Sequence, residues 1–418
     1  MICLIFFSFF KTKKIKFQTL LDYLKGGKKL VNFANDKIQA FVGPQELGAS
    51  DNLEEVIINF IKEAQKTLDI AVQEIDSEKI AQAIINARWR GVRVRIFVEH
   101  DYIYEEKLPE KQAIPIETET LEEALRRAQW DEYREPENIK TNRDIHTALL
   151  RNSVDIKADY NHNHIFHQKF IIRDRRTKNM VLPTSAILTG STNFTNTGTH
   201  KNLNHIIIFQ DPMIAWQYQE EFKEIRQGIF GSANSMHEPK PPTINIEGVP
   251  VQVFFAPDNA PELEIVKQVL KCQSKLHFAT FTFSGSSGID DAMLAIRASG
   301  RTIRGVIDPV MGLRHWAATK WLHNQGIELF LPRRSNRFGK MHHKLMVVDD
   351  DIVVAGSMNY TQPANEYNDE NIFIIGSPYD LGDDEGGPVD HTSCKSIANY
   401  FRDEVERIIS DLSIPYSV

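Results

Sequence analysis

His167 and Lys169, two residues apart, are matched far along the chain by His342 and Lys344 with the same spacing. The first pair opens the run His167-Gln168-Lys169-Phe170-Ile171-Ile172-Arg173-Asp174, and the second opens His342-His343-Lys344-Leu345-Met346-Val347-Val348-Asp349. On a β-strand, side chains at i and i+2 project from one face, so each histidine and its lysine are predicted to point together into one site. The apolar runs that follow each lysine read as buried strands on independent grounds. Two lysines would neutralise the non-bridging oxygens of a phosphodiester. One neutral imidazole could attack phosphorus while a second, protonated one donates to the leaving alkoxide.

Each motif is trailed by a second matched element, Gly190-Ser191-Thr192-Asn193 and Gly356-Ser357-Met358-Asn359. The glycines permit close backbone approach, and Ser191, Asn193, Ser357 and Asn359 are predicted to donate hydrogen bonds to phosphoryl oxygens. An Asn-rich cluster follows in both halves, Asn202-Leu203-Asn204-His205 and Asn368-Asp369-Glu370-Asn371. A lone His-x-Lys carries almost no information, but two copies with the same trailing element leave little room for coincidence.

The elements around the motifs repeat as well. Ile38 to Pro44 (IQAFVGP) corresponds to Val251 to Pro257 (VQVFFAP), and the helical stretch Ala81 to Gly91 before a Val-rich strand corresponds to Ala292 to Gly300. Strand, helix, strand in this order predicts βαβ units and sheets with helices on both faces, an α/β chain of two tandem repeats. The expected division is an N-terminal extension at 1–36, a first repeat at 37–230, a Pro-rich linker at 231–249 and a second repeat at 250–418. The repeat starts lie farther apart than the motifs, so the first half carries a charged insertion at about 102–152, with a helix expected over Leu121 to Tyr133. It reads equally as a lid over the site and as a solvated decoration.

The paired His-x-Lys-x4-Asp motifs with trailing Gly-Ser-x-Asn resemble those of the phospholipase D superfamily, and the resemblance runs from about residue 38 to 412. It implies two phospholipase D-like α/β/α repeats packed as an intrachain pseudo-dimer, motifs face to face across a pseudo-twofold axis, a covalent phosphohistidine and no metal or other cofactor. It further implies His167 as nucleophile and His342 as acid. The family often bonds a carboxylate after each Gly-Ser-x-Asn to the histidine of the opposite half. Here Glu370 fills that place after the second motif, whereas the first half has Asn204, so Glu370 is expected to orient His167 while His342 lacks such support. Asp174 and Asp349 complete the motifs and stay in the candidate set, but strand-end anchoring suits them better, since a further carboxylate facing phosphate would repel it.

Weaker signals surround these. His162 and His164 read as polar loop residues and Arg93 and Arg95 as exposed strand charge. Arg333, Arg334, Arg337 and Lys340 run directly into the second motif, as a phosphate contact or a solvated loop.

With 418 residues, 42% hydrophobic and 25% charged, the chain can form two globular domains, and its net charge of −7 offers no global attraction to nucleic acid or anionic lipid. Cys3, Cys272 and Cys394 are isolated, which argues against a disulfide framework or a cysteine zinc site and suits a reducing, cytoplasmic setting. The apolar Met1 to Phe10 is too short to span a bilayer and carries its lysines on the wrong side for a secretory signal. It reads first as a mis-assigned start or structural segment and second as a weak peripheral membrane contact. No obligate protein partner is indicated. The expected substrate is a phosphodiester, with hydrolysis of a phospholipid headgroup as the first reading, a DNA or RNA nuclease as the second, and a non-enzymatic scaffold disfavoured because neither motif has decayed.

Overall fold

The computed structural model describes residues 32–102, 137–160, 164–176, 181–234, 239–377 and 387–417. The first half builds strands β1 (Asn32–Phe33), β2 (Ile38–Gly43), β3 (Thr67–Val72), β4 (Arg93–Val98), β5 (Asp155–Ala158), β6 (Lys169–Arg173), β7 (Ala186–Gly190) and β8 (Asn204–Phe209). The second builds β9 (Ile244–Ile246), β10 (Val249–Ala256), β11 (Lys275–Thr280), β12 (Thr302–Ile307), β13 (Glu328–Pro332), β14 (Lys344–Val348), β15 (Ile352–Gly356), β16 (Glu370–Ile375) and β17 (Ser413–Pro415).

The two sheets run β1-β2-β8-β7-β6-β3-β4-β5 and β17-β13-β12-β11-β14-β15-β16-β10-β9. Read from β2 and from β10 the orders coincide strand for strand, with β3, β4, β5 and β11, β12, β13 parallel and the remaining pairs antiparallel. This is the duplicated α/β architecture that the repeated motifs imply. Residues 244–246, inside the stretch expected as linker, pair onto β10, and residues 32–33, inside the expected N-terminal extension, pair onto β2. The apolar segment Met1 to Phe10 lies outside the described residues.

Alternation along the strands sorts the core into three layers. Phe170 and Ile172 of β6 and Leu345 and Val347 of β14 face a core shared by both halves, together with Tyr218 and Phe222 of helix α1 (Pro212–Gln227) and Phe401 and Val405 of helix α2 (His391–Arg407). Ile171 and Met346 face outward into separate cores, each roofed by its own helices. Such two-sided burial explains why the strands read as near-continuous apolar runs. Helix α1 starts at Asp211, whose carboxylate accepts from Met213 N and Ile214 N, and ends at Gly228 in the left-handed conformation.

The extra length of the first half falls between β4 and β5, which end and begin at Val98 and Asp155, against Ile307 and Glu328 for β12 and β13. Its expected helix over Leu121 to Tyr133 lies outside the described residues. A helix at Glu137–Arg151 is present, and Asn142 ties it to the end of β3 by accepting from Ile75 N at 3.2 Å and donating to Glu74 Oε1 at 3.3 Å. Among the described residues no helix is long and apolar enough to cross a membrane.

Candidate active site at the interface of the repeats

The backbone of each half reaches across to the other. His167 N donates to Asp369 O at 3.0 Å, and His342 N donates to Leu203 O at 3.0 Å. These reciprocal bonds set each histidine against the residue that opens the partner half's strand, Glu370 at the start of β16 and Asn204 at the start of β8. His167 Nδ1 lies 2.7 Å from Glu370 Oε2, and His342 Nδ1 lies 3.0 Å from Asn204 Oδ1 and 3.1 Å from Ser191 O. The two imidazole centroids are 6.4 Å apart, with ring planes at 69°.

The amide of Asn204 is oriented by its Nδ2 donating to Gly198 O at 2.8 Å, which makes Oδ1 the acceptor. His342 Nδ1, facing two acceptors, therefore carries a proton, and Nε2 is its nitrogen for exchange with a substrate. On the other side Glu370 occupies Nδ1 of His167 and leaves Nε2 available.

Lys169 Nζ donates to His167 O at 2.7 Å and Lys344 Nζ to His342 O at 2.9 Å, so each lysine folds back beside its own histidine. All four side chains are buried. Burial pushes the Lys169 ammonium down to about 7. Burial, reinforced by Lys169, holds Lys344 well below the usual ammonium range. Burial and the two ammonium groups hold both imidazoles well below their ordinary value, and burial pushes Glu370 up to about 8. A pocket in which two cations raise the cost of each other's charge favours a bound anion, which relieves both.

Ser191 and Ser357 require a correction. Both were expected on the phosphate, but both are fully buried and already committed. Ser357 Oγ donates to Glu370 Oε2 at 2.6 Å and accepts from Asn371 N, while Ser191 Oγ donates to Asn204 Oδ1 at 2.8 Å and accepts from His205 N. Their hydroxyls orient the partners of the histidines. Asn193 and Asn359 remain partly exposed, and the Oδ1 atom of each lacks a hydrogen-bond partner among the described residues. Gly190 and Gly356 let the strands close: a Cβ there would lie 2.4 Å from His205 O and 2.2 Å from Asn371 O.

Asp174 and Asp349 are also corrected as site residues. They sit past the far ends of β6 and β14, roughly 17 Å of strand from the lysines. Asp174 accepts from the backbone of Gln65, Lys66 and Thr67, and Asp349 from that of Gln273, Ser274 and Lys275. Each ties off the turn into the neighbouring strand. Arg95, expected as exposed charge, instead holds buried Asp69 with two 2.7 Å contacts, while Arg93 is exposed. His164 stacks on Tyr367 at 5.0 Å, and His162 lies outside the described residues. Of the basic run, Lys340 reaches the site, its Nζ 5.4 Å from the Phe281 ring centroid.

Gln73 was missed. It directly follows β3, and its Oε1 accepts from Lys169 Nζ at 3.2 Å and Asn193 Nδ2 at 3.3 Å. Phe281 holds the corresponding place after β11, 5.2 Å from both the His342 ring and Lys344 Nζ. A polar residue where the repeat has an aromatic one was the available signal.

The family model described as cardiolipin synthase, PLD-like domain, matches residues 57–226 and 265–385. The mitochondrial cardiolipin hydrolase of Xenopus tropicalis is 33% identical over 106 residues, which is 25% of this chain and 49% of that protein. The mouse (Mus musculus) protein of the same name is 28% identical over 111 residues, 27% of this chain and 48% of its own length. The chain thus spans about half the length of the curated relatives it matches. The crystal structure of phosphatidylserine synthase from Haemophilus influenzae covers 93% of this chain and 89% of its own at 13% identity, with a TM-score of 0.57, and so shares the fold. The match over most of both repeats, taken with the paired motifs that meet across their interface, shows that the chain belongs to the phospholipase D superfamily.

Proposed function

We propose that this protein hydrolyses a phosphodiester through a phosphohistidine on His167, with a phospholipid headgroup ester as its substrate. The observation that carries the reading is the crosswise pairing of His167 with Glu370 at a 6.4 Å separation from the His342 ring. A phosphoryl group placed between the rings would meet a nucleophile on one side and a proton donor on the other. His167 Nε2 attacks phosphorus, and the bond to the leaving oxygen breaks as His342 Nε2 gives it a proton. Water then attacks the phosphohistidine, His342 Nε2 takes the water proton, and a phosphomonoester departs. The imidazole gains positive charge as the P–N bond forms, and Glu370 offsets it. Lys169 and Lys344 balance the non-bridging oxygens, so the residues present supply the charge that the reaction needs.

The matched regions of the cardiolipin hydrolases support a lipid substrate. The test is parallel turnover of phosphatidylcholine, cardiolipin, single-stranded DNA and RNA by the full chain, with trapping of a phosphorus label. Lipid cleavage with acid-labile label on His167 is expected. Cleavage of nucleic acid alone would replace the substrate assignment, and label on His342 would reverse the roles.

A further inference from the structure

Parallel strands β11, β12 and β13 all end at one edge of the second sheet, so the segments that follow them emerge side by side. The first begins with Phe281, which packs on His342. The second, residues 309–320, is tied to that edge: Asp308 Oδ2 accepts from Met341 N at 3.0 Å, Gly285 N donates to Trp316 O, and Ala318 N donates to Phe283 O. The third, residues 333–340, leads directly into His342. The second and third segments contain six cations, Arg314, Lys320, Arg333, Arg334, Arg337 and Lys340, and no aspartate or glutamate, although the chain as a whole carries −7.

The same edge exposes large apolar side chains. Leu313 is 59% exposed, Val310 43% and Trp316 37%. On the opposite side of the site Tyr160, just past β5, and Ile165, two residues before His167, are also exposed. Single exposed apolar residues need no explanation, but a set bordering one site and interleaved with cations in segments that contain no aspartate or glutamate does.

We infer that this edge is a membrane-docking surface, on which Val310, Leu313 and Trp316 enter the acyl boundary of an anionic bilayer while Arg314 and its neighbouring cations engage the headgroups. The inference deepens the lipid reading and rests on it. Positive charge beside aliphatic and indole side chains is the pattern of interfacial binding. A single-stranded nucleic acid would use the cations and the indole for backbone and base stacking, but gives Leu313 and Val310 nothing to bury against. Docking here would present the site mouth to the headgroup layer, where the scissile ester of a phospholipid lies.

The experiment is sedimentation of the full chain with vesicles of phosphatidylcholine alone and of phosphatidylcholine mixed with phosphatidylglycerol, alongside hydrolysis of soluble bis(p-nitrophenyl) phosphate. Leu313→Ser with Trp316→Ser should weaken binding to the mixed vesicles at least about tenfold, since withdrawing one large apolar side chain alone is worth that much. Arg314→Glu should weaken binding to the mixed vesicles and leave phosphatidylcholine binding unchanged. All three substitutions are at exposed positions, so turnover of the soluble diester should persist, which also reports that the variants fold. Equal vesicle binding by wild type and the double variant would overturn the surface while leaving the lipid assignment standing. Loss of single-stranded DNA binding in the same variants, without vesicle binding by wild type, would overturn both. No soluble-diester turnover in wild type would count against the catalytic reading alone.

Discussion

Replacing Glu370 by Gln should damage catalysis and, at the same time, remove a loss of stability that grows with pH. Glu370 is fully buried, and its Oε2 serves both His167 Nδ1 at 2.7 Å and Ser357 Oγ at 2.6 Å, whereas Oε1 has no hydrogen-bond partner among the described residues. Burial raises its carboxyl from 4.5 to about 8. A carboxyl with a raised folded-state value binds its proton more tightly in the folded protein. The wild type therefore loses stability as pH rises above about 4.5, and the loss saturates beyond about 8. Between pH 5 and pH 8.5 the penalty grows by about 4 kcal/mol. Glutamine does not ionise and escapes this growth. Its amide nitrogen costs about 1–3 kcal/mol if it is left unpaired where Oε1 stands, but that cost is the same at every pH and drops out of the comparison. Thermal unfolding of both proteins across this range should show the variant gaining on wild type as pH rises. Turnover of a soluble diester should fall about 10- to 150-fold from the loss of a charge-assisted hydrogen bond worth about 1.5–3 kcal/mol. A stability difference that stays flat with pH would refute the buried-carboxylate reasoning. Unchanged turnover would refute the role of Glu370 behind the nucleophile.

Lys169→Met and Lys344→Met should each cost about 2.7–4 kcal/mol of transition-state stabilisation, roughly a hundredfold to a thousandfold in kcat, and wild-type turnover should persist in excess EDTA. His342→Ala should still form a phosphohistidine from a p-nitrophenyl diester, whose leaving group needs little protonation, whereas His167→Ala should form none; mass spectrometry of labelled protein reads both. Free-enzyme kcat/KM should be bell-shaped, rising as Glu370 ionises near 8 and falling as Lys169, lowered to about 7, loses its proton; with the two limbs overlapping, the maximum lies between these values, and Glu370→Gln should move the rising limb to lower pH. Asp349→Ala should lower the unfolding temperature by removing the acceptor of three backbone N–H groups, and leave KM for a soluble diester unchanged.

The two histidines and two lysines were legible because their spacing of two has a direct geometric meaning on a strand, and because the duplication could be read from Ile38 and Val251 onward. Glu370 became legible through the family resemblance, which implies a carboxylate after Gly-Ser-x-Asn, and comparison of the repeats then showed Asn204 in the matching place. Ser191 and Ser357 were misread for a physical reason: a hydroxyl can donate to a phosphate or to a neighbouring side chain, and only the packing of β7 on β8 and of β15 on β16 shows that the neighbour is within reach. Gln73 was invisible in isolation, because the end of a strand gives no clue to which amide will bridge a lysine and an asparagine. Arg95 failed by the converse route. Alternation predicts which face a charge lies on, but the buried Asp69 that holds it belongs to the adjacent strand β3.

A duplicated backbone offers both histidines the same frame, so any division of labour between them must come from side chains that differ at matching positions. Those differences gather against the two rings and directly behind the residues that touch them. Glu370 matches Asn204, Gln73 matches Phe281, and Gln168 and Asn371 match His343 and His205. On one side of the interface between the repeats Asn371 Nδ2 donates across to Gln168 Oε1 at 2.6 Å, a bond with fixed direction. On the other side His205 and His343 stack across it in parallel planes with their Nδ1 atoms 3.1 Å apart, so one ring must present a proton and the other a lone pair. Burial holds both of these rings below the ordinary imidazole value, which favours two complementary neutral tautomers. Among the described residues a carboxyl group stands behind His167 alone, so on the proposed mechanism Glu370, once ionised, offsets the charge that this ring gains on bonding to phosphorus. His342 Nδ1 is backed by the neutral oxygens of Asn204 and Ser191 and its ring is faced by Phe281, with no carboxyl group at Nδ1 among the described residues. On the proposed mechanism the bound anionic diester stabilises its positive form, which suits a group that gives its proton to the leaving oxygen.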